Sequence, residues 1–158
     1  MANSQSMTTS FMGELMTATH NFGVAPTRGT SAVDTFKAAL YLTTATVDAS
    51  TTAYSATNEV SGSGYAAGGV TVTMGIVPTA TNSSTTAGVA FVTPSASITY
   101  TTVTLATAFD AVLIYNSTQA NKAVSVHTFG SQTVTAGTFT LTMPANTTST
   151  ELLRLATT

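Results

Sequence analysis

The chain has 158 residues, the size of one domain, and a formal net charge of −2. Charged residues make up only 6% of it, against about 25% in an ordinary globular domain. Four basic residues cannot build the positive surface that nucleic acid or anionic lipid requires, so neither partner is expected. Without cysteine, a disulfide framework, thiolate chemistry and a cysteine zinc site are excluded.

Hydroxyl side chains replace the missing charges. The chain contains 37 threonines and 16 serines, which is 53 of 158 residues. Threonine is β-branched and favours the pleated surface of a strand without adding charge. The composition therefore predicts a β-rich structural or binding protein. No apolar run approaches the length of a membrane span, and the first residues lack the basic and apolar regions of a signal peptide, so neither is expected.

The first predicted element is a helix over residues 7–20. Phe11 and Leu15 share one side at a spacing of four residues, and Met12 and Met16 lie alongside them at the same spacing. This pattern is typical of an amphipathic helix with an apolar stripe.

The ends of this helix have their own signals. Thr8, Thr9 or Ser10 is expected to cap its start, and Asn21 or Gly23 to stop it. Its apolar side either packs on the rest of the chain or docks on another subunit. The second alternative divides the chain into an N-terminal arm with a short helix, residues 1–22, and a β-sandwich domain, residues 23–158. It also predicts four partner-binding residues: Phe11, Leu15, Met16 and Phe22.

From residue 33 the apolar period changes to two, which is typical of strands. Residues 109–115 form the most apolar run, as expected for a strand buried on both faces. The predicted strands are residues 36–43, 70–74 with an extension to 77, 89–92, 98–105, 109–115, 122–129, 132–135, 138–143 and 151–156. Seven to nine short antiparallel strands with one N-terminal helix predict a mainly β fold, a single β-sandwich or jelly-roll-like domain.

Glycine and polar clusters separate these strands. Residues 116–121 are expected to form a polar turn, Gly130 with Ser131 another, and Ala136 with Gly137 a tight turn. Residues 61–69 carry four glycines around Tyr65 and predict a flexible loop. This segment lacks the lysine of a phosphate-binding loop, so no nucleotide cofactor is expected.

Two long runs carry no charge at all, residues 60–109 and residues 123–150. A free soluble domain normally keeps about 25–35% of its surface charged to resist association. Either the protein is docked on a larger assembly, where neutral surface avoids the cost of dehydrating ions, or hydroxyl groups alone solvate it. Both explanations remain open at this stage.

Few residues are suited to catalysis or metal binding. His127 lies on a strand face and is interpreted as structural, and His20 is interpreted as a cap at the end of the helix. No histidine pair or carboxylate cluster has metal-ligand spacing. We therefore expect no enzymatic activity, no metal and no cofactor. A carbohydrate-binding face built from tyrosines is a weaker alternative, with Tyr54, Tyr65, Tyr100 and Tyr115 as its members.

Five segments follow one another in a characteristic order. They are Ser10-Phe-Met-Gly-Glu-Leu-Met with His20-Asn-Phe, Asp34-Thr-Phe-Lys-Ala-Ala-Leu-Tyr, Thr52-Ala-Tyr-Ser-Ala-Thr-Asn-Glu-Val-Ser-Gly-Ser-Gly-Tyr-Ala-Ala-Gly-Gly, Ala111-Val-Leu-Ile-Tyr-Asn-Ser-Thr, and the ending with its glycine turns. This order resembles a group of small virion proteins encoded in the structural modules of tailed bacteriophages.

The resemblance implies a non-enzymatic, β-rich virion component and no catalytic residue. It implies a capsid decoration (cement) protein on the capsid exterior, made in the bacterial host cytoplasm. Its partners would be the phage major capsid protein, further copies of itself as a homo-oligomer such as a trimer, or both. A tail or tail-fibre associated virion protein is the alternative in the same context.

Overall fold

The computed structural model describes residues 2–22, 33–74, 79–81, 88–147 and 150–156. Within these ranges it contains one helix, α1 (Thr9–Met16), and eight strands that pair antiparallel. The strands are β1 (Ser6–Met7), β2 (Phe36–Leu42), β3 (Val70–Val72), β4 (Thr79–Thr81), β5 (Val89–Val92), β6 (Ile98–Asn116), β7 (Lys122–Leu141) and β8 (Leu153–Ala156). The predicted mainly β fold with one short helix is confirmed.

The strands form two sheets. The larger has five strands in the order β1-β7-β6-β2-β3, and the smaller has three in the order β4-β5-β8. β2 lies along the second half of β6, from the pair Phe36–Asn116 to the pair Leu42–Phe109. Ile76 and Val77, the predicted extension of β3, lie outside the described residues, and β4 was not predicted.

β6 and β7 form one long hairpin, which corrects the prediction of short strands. They span 19 and 20 residues and pair from Asn116–Lys122 at the turn to Ile98–Leu141 at the far end. The predicted turns at Gly130 with Ser131 and at Ala136 with Gly137 are wrong. Extra residues there are absorbed as register shifts in the ladder, because small residues accommodate a β-bulge as readily as a turn. The polar turn after residue 116 is confirmed.

Around residues 111–115 the larger sheet is buried on both faces, as expected for the run 109–115. Val112 and Ile114 belong to the main core cluster, whereas Leu113 and Tyr115 face a second cluster on the opposite side. Residues 43–60 cover this second side with Ala45 and Val47 among their buried side chains. The alternation follows from the two-residue period of a strand.

The N-terminal helix is shorter than predicted. It spans eight residues rather than 7–20, because the backbone before it is extended and pairs with β7 as β1. Thr8 precedes the helix but does not cap it with its side chain; its hydroxyl instead donates to the carbonyl of Ala123 at 3.1 Å. The helix ends at Thr17, and Ala18 adopts a φ of 55°, so the predicted stop at Asn21 is too late. The other predicted stop, Gly23, lies outside the described residues.

The apolar side of α1 packs on the chain's own sheet. Phe11 is 2% exposed and Phe22 is 7% exposed, and both belong to the main core cluster. Their rings meet edge to face at 5.8 Å, and Phe22 stacks on Phe36 of β2 at 4.3 Å. The predicted boundary at residue 22 therefore runs through a shared core.

The glycine-rich segment 61–69 is packed along the sheet instead of forming the flexible loop that was predicted. The carbonyl of Ser63 accepts from the N–H of Thr104 at 2.9 Å. A Cβ on Gly62 would overlap the carbonyl oxygen of Thr104. Glycine is needed here because two backbones approach each other closely.

Candidate docking surface

Charge is nearly absent from the described surface of the protein. Nine of the ten charged residues are described, and Arg154 is the one among them that is exposed. Two are buried, Asp34 and Glu59. Six are half-buried: Glu14, Lys37, Asp48, Asp110, Lys122 and Glu151. Most of the described charges are therefore partly shielded, although the side chain of Lys122 is still 39% exposed.

The far half of the β6–β7 hairpin is the largest uncharged element. Residues 98–109 and 129–141 contain no charged residue and nine threonines. Seven of these threonines are exposed: Thr101, Thr102, Thr107, Thr133, Thr135, Thr138 and Thr140. We call this set the hydroxyl face. It offers hydrogen-bond donors and acceptors without an ion to dehydrate.

The opposite side of the same hairpin is anchored in the core. Tyr100, Val103 and Leu105 are buried, and the ring of Phe109 meets that of Phe139 edge to face at 5.0 Å. The hydroxyl of Tyr100 donates to the carbonyl of Ala38 on β2 at 2.9 Å. The hydroxyl face is therefore presented by a strand pair that is held by packing, and its threonines have little conformational freedom left to lose on binding.

The four predicted partner-binding residues are placed very differently. Phe11 and Phe22 are core residues, Leu15 is half-buried, and Met16 is 89% exposed. Of these four residues, only Met16 therefore offers a large exposed apolar side chain. Whether the segment contacts a partner stays a prediction.

An apolar cavity of about 320 Å³ lies beside three of these residues. Phe11, Leu15 and Phe22 line one side of it, and β5 and β8 line the other through Val92 and Leu153. The cavity thus separates the N-terminal segment from the smaller sheet. A volume of this size is at the lower end of small-molecule pockets.

The four tyrosines named for a sugar-binding face are largely enclosed, and carbohydrate binding stays a prediction. Tyr100 and Tyr115 are buried, and Tyr54 and Tyr65 are half-buried. All four hydroxyls donate within the protein: Tyr100 and Tyr115 to the carbonyls of Ala38 and Gly68, and Tyr54 and Tyr65 to the buried carboxylate of Glu59.

Glu59 accepts three hydrogen bonds. Its Oε1 accepts from the hydroxyl of Tyr65 at 2.7 Å and from the N–H of Gly68 at 2.8 Å, and its Oε2 accepts from Tyr54 at 2.6 Å. Tyr115 donates to the carbonyl of Gly68 at 2.9 Å. The cluster fastens the glycine-rich segment to the sheet, which is a structural role.

The environment of these phenols keeps them protonated. Burial and the hydrogen bond to Glu59 raise the pKa of both Tyr54 and Tyr65 well above the ordinary value. Burial also raises the pKa of Tyr41 to about 12. Because each hydroxyl remains a donor across the physiological range, none of them is suited to act as a general base.

His20 is part of a buried polar cluster. The prediction that it caps the end of the helix is wrong. Its side chain is fully buried, its Nε2 lies 2.7 Å from Glu14, and its Nδ1 lies 3.0 Å from the amide nitrogen of Asn116. Asn116 in turn donates to Asp34 at 2.7 Å. Lys122 contacts the other oxygen of Glu14. Residues far apart in sequence meet here, so spacing gave no signal of the cluster.

His127 has the structural role that was predicted. Its Nε2 lies 2.9 Å from the hydroxyl of Ser125, two residues earlier on β7. Burial lowers the pKa of His127 to about 4, so the ring is neutral at physiological pH. No described carboxylate is bonded to it in the manner of a catalytic base and its orienting acid.

Among the described residues, no group of three histidine or acidic side chains is placed to share a metal ion. No helix in the described part of the chain is long and apolar enough to cross a membrane.

No family model, curated protein or solved structure matches the chain. The function must therefore be inferred from the residues and their geometry. Of the features above, the hydroxyl face combines the largest extent with the least internal use. Sequence analysis missed it as a surface because it predicted two strands where β6 is continuous, and three strands separated by two turns where β7 is continuous.

Proposed function

We propose that this protein is a non-enzymatic structural component of a phage virion, a capsid decoration protein that binds the outer shell through its hydroxyl face. The observation that carries the proposal is the uncharged far half of the β6–β7 hairpin, with seven exposed threonines on a strand pair anchored in the core. The resemblance of the segment order to virion proteins of tailed phages supports the choice of partner.

The expected mechanism is mechanical. Each copy would bury neutral surface across neighbouring shell subunits and hold it by hydroxyl and backbone hydrogen bonds with some apolar burial. A ligand that binds the assembled state alone stabilises that state by linkage. Many weak contacts on one particle then add through effective concentration.

The distribution of charge supports a permanently covered face. A surface that stays in water gains solubility from exposed ions, yet charged residues make up only 6% of the chain and none lies on the far half of the β6–β7 hairpin. A surface that is buried in an assembly does not need exposed ions for solubility, and their absence avoids the cost of dehydrating them. Binding through such a face should change little with ionic strength, because few charges are available to be screened.

A binding experiment with matched variants tests the proposal. The triple variant Thr101→Lys, Thr133→Lys, Thr138→Lys places three charges on the hydroxyl face. The control variant Thr44→Lys, Thr52→Lys, Thr57→Lys adds the same charge at exposed positions in residues 43–60. Both are compared with the wild type for co-sedimentation with particles of the phage that encodes the chain, after circular dichroism has established that they fold.

We expect the hairpin variant to bind at least about tenfold more weakly, because each lysine must be dehydrated in the contact, and the control variant to bind like the wild type. Equal binding by both variants, or no binding of the wild type, would overturn the proposal. Electron microscopy of labelled particles separates the two virion locations: many copies over the shell support decoration, and a few copies at one vertex indicate a tail component instead.

A further inference from the structure

The contact between His20 and Asn116 requires a neutral imidazole. The Oδ1 of Asn116 accepts from the backbone N–H of Thr118 at 3.1 Å and of Gln119 at 3.2 Å. A backbone N–H can only donate, so this oxygen must face the turn. The amide nitrogen must then face His20 and Asp34, with one hydrogen for each.

This fixed amide determines the tautomer of His20. Because the nitrogen of Asn116 donates to Nδ1, that ring nitrogen must carry a lone pair. The proton of the neutral ring is then on Nε2, where it is donated to Glu14 at 2.7 Å. A second proton on Nδ1 would point at the hydrogens of the Asn116 amide.

Asn116 cannot rotate to accommodate this second proton. Turning its amide would place the NH2 group against the N–H groups of Thr118 and Gln119 and would leave its oxygen facing the carboxylate of Asp34. The turned oxygen could accept from the protonated Nδ1, but the bonds to Asp34, Thr118 and Gln119 would be lost together. Asn116 is fully buried, so water cannot replace them.

Glu14, the acidic partner of His20, favours the protonated ring, whereas Asn116 favours the neutral ring. Burial raises the pKa of Glu14, but the hydrogen bonds from Lys122 and His20 outweigh it and hold that pKa below the usual value. Glu14 is therefore ionised at neutral pH and attracts an imidazolium more strongly than a neutral ring. Protonation strengthens the contact within the N-terminal segment and breaks the contact to the turn after β6.

Three other charged groups lie near His20 or line the cavity beside it: Lys122, Asp34 and Arg154. Lys122, from the start of β7, acts through Glu14, and Asp34, before β2, is occupied by Asn116, Gln119 and the N–H of Asn21. Arg154 of β8 lines the same cavity as His20.

We infer that His20 is a pH-sensitive latch: with a neutral ring it ties residues 17–22 to the end of β6, and acid releases this loop while α1 retains the ring through Glu14. Histidine is the side chain whose ordinary titration lies closest to neutral pH. Release would uncover Phe22 and widen the apolar cavity. The inference does not depend on the proposed function.

Hydrogen exchange measured by NMR tests the latch directly. The amides of Asn21 and Asp34 report on the loop, because Asn21 donates to Asp34 and Asp34 donates to the carbonyl of Asn21. Because His127 also changes the stability with pH, the test is made in the His127→Gln background. There we expect the protection factors of Asn21 and Asp34 to fall at least about tenfold more than those of Val112 and Leu113 between pH 8 and pH 5. With His20→Gln added, which keeps a donor and an acceptor but cannot titrate, the loop amides should follow the core amides.

A second measurement needs no variant of the latch. The ¹⁵N shifts of the His20 ring report its tautomer and its protonation, and we expect the neutral Nε2–H form wherever the amide of Asn21 is protected. An Nδ1–H tautomer, or unchanged protection at Asn21 after the ring has titrated, would overturn the inference. His127→Gln removes the other imidazole signal and serves as the assignment control.

Discussion

Gly69 lies against the backbone of Ala38 so closely that a Cβ on Gly69 would overlap the carbonyl oxygen of Ala38. Gly69 also has a φ of 71°, in the left-handed region that disfavours other residues. Glycine is thus required at residue 69 for two reasons: there is no room for a Cβ, and the backbone is in the left-handed region. These two constraints act on one residue at the entry to β3.

The first prediction concerns this glycine. We expect Gly69→Ala to lower the free energy of unfolding by at least about 3 kcal/mol, because the new methyl group forces the segment off the sheet and strains the backbone. Chemical denaturation measures the change. Gly130→Ala is the control, since nothing lies within 4 Å of a Cβ there. A similar small effect at both positions would contradict the packing described for Gly69.

The second prediction concerns the hydroxyl of Tyr65. It donates to Glu59 at 2.7 Å and accepts from the N–H of Leu40 at 3.0 Å. Tyr65→Phe leaves the Leu40 donor without this partner and removes one bond from a buried carboxylate, so we expect a loss of about 1–3 kcal/mol in the free energy of unfolding.

Thr57→Val is the control for Tyr65→Phe, because it removes an exposed hydroxyl and should change stability by less than about 0.5 kcal/mol. Equal stability of Tyr65→Phe and the wild type would show that the glycine-rich segment is held by other contacts.

Local periodicity predicted the strands and the core well. The alternation from Phe36 to Leu42 and the apolar run before Asn116 both became strands of the larger sheet. Each of these signals is contained within about eight residues of the sequence. Such short-range patterns follow from the geometry of the strand itself.

Features that depend on long-range pairing could not be predicted. Gly130 and Ala136 mark bulges instead of turns because β6 continues on the other side of the ladder, and the sequence of β7 does not contain that information. His20 and Asn116 are 96 residues apart, so no spacing rule connects them. The hydroxyl face likewise exists only because two distant segments pair.

The third prediction separates core from surface in the N-terminal segment. Phe11 is 2% exposed and contacts the rings of His20 and Phe22. We therefore expect Phe11→Ala to reduce the free energy of unfolding by about 3–5 kcal/mol, and Met16→Ala, at an 89% exposed position, to change it by less than about 0.5 kcal/mol. Thermal and chemical unfolding measure both.

It follows that deletion of residues 1–22 should lower the stability of the sheet, in addition to weakening any partner binding by this segment. Equal stability of Phe11→Ala and Met16→Ala would instead favour an independent arm. In that case the shared core at Phe11 and Phe22 would contribute little to folding.

The fourth prediction is a dependence of stability on pH that originates from His127. Burial lowers the pKa of His127 to about 4 in the folded protein, whereas the unfolded chain has the ordinary value of about 6.5. Between these values the unfolded chain binds a proton that the folded protein does not bind. The stabilisation is therefore complete above about pH 6.5 and is lost as the pH falls towards 4.

The expected loss between pH 7 and pH 5 is about 2 kcal/mol of unfolding free energy. His127→Gln is the matched variant, because its amide can still bond to the hydroxyl of Ser125 and does not titrate. Subtracting its pH profile from that of the wild type cancels the contributions of His20 and of the carboxylates. A flat difference profile from pH 7 to pH 5 would mean that His127 is solvated well enough to accept a proton in the folded state.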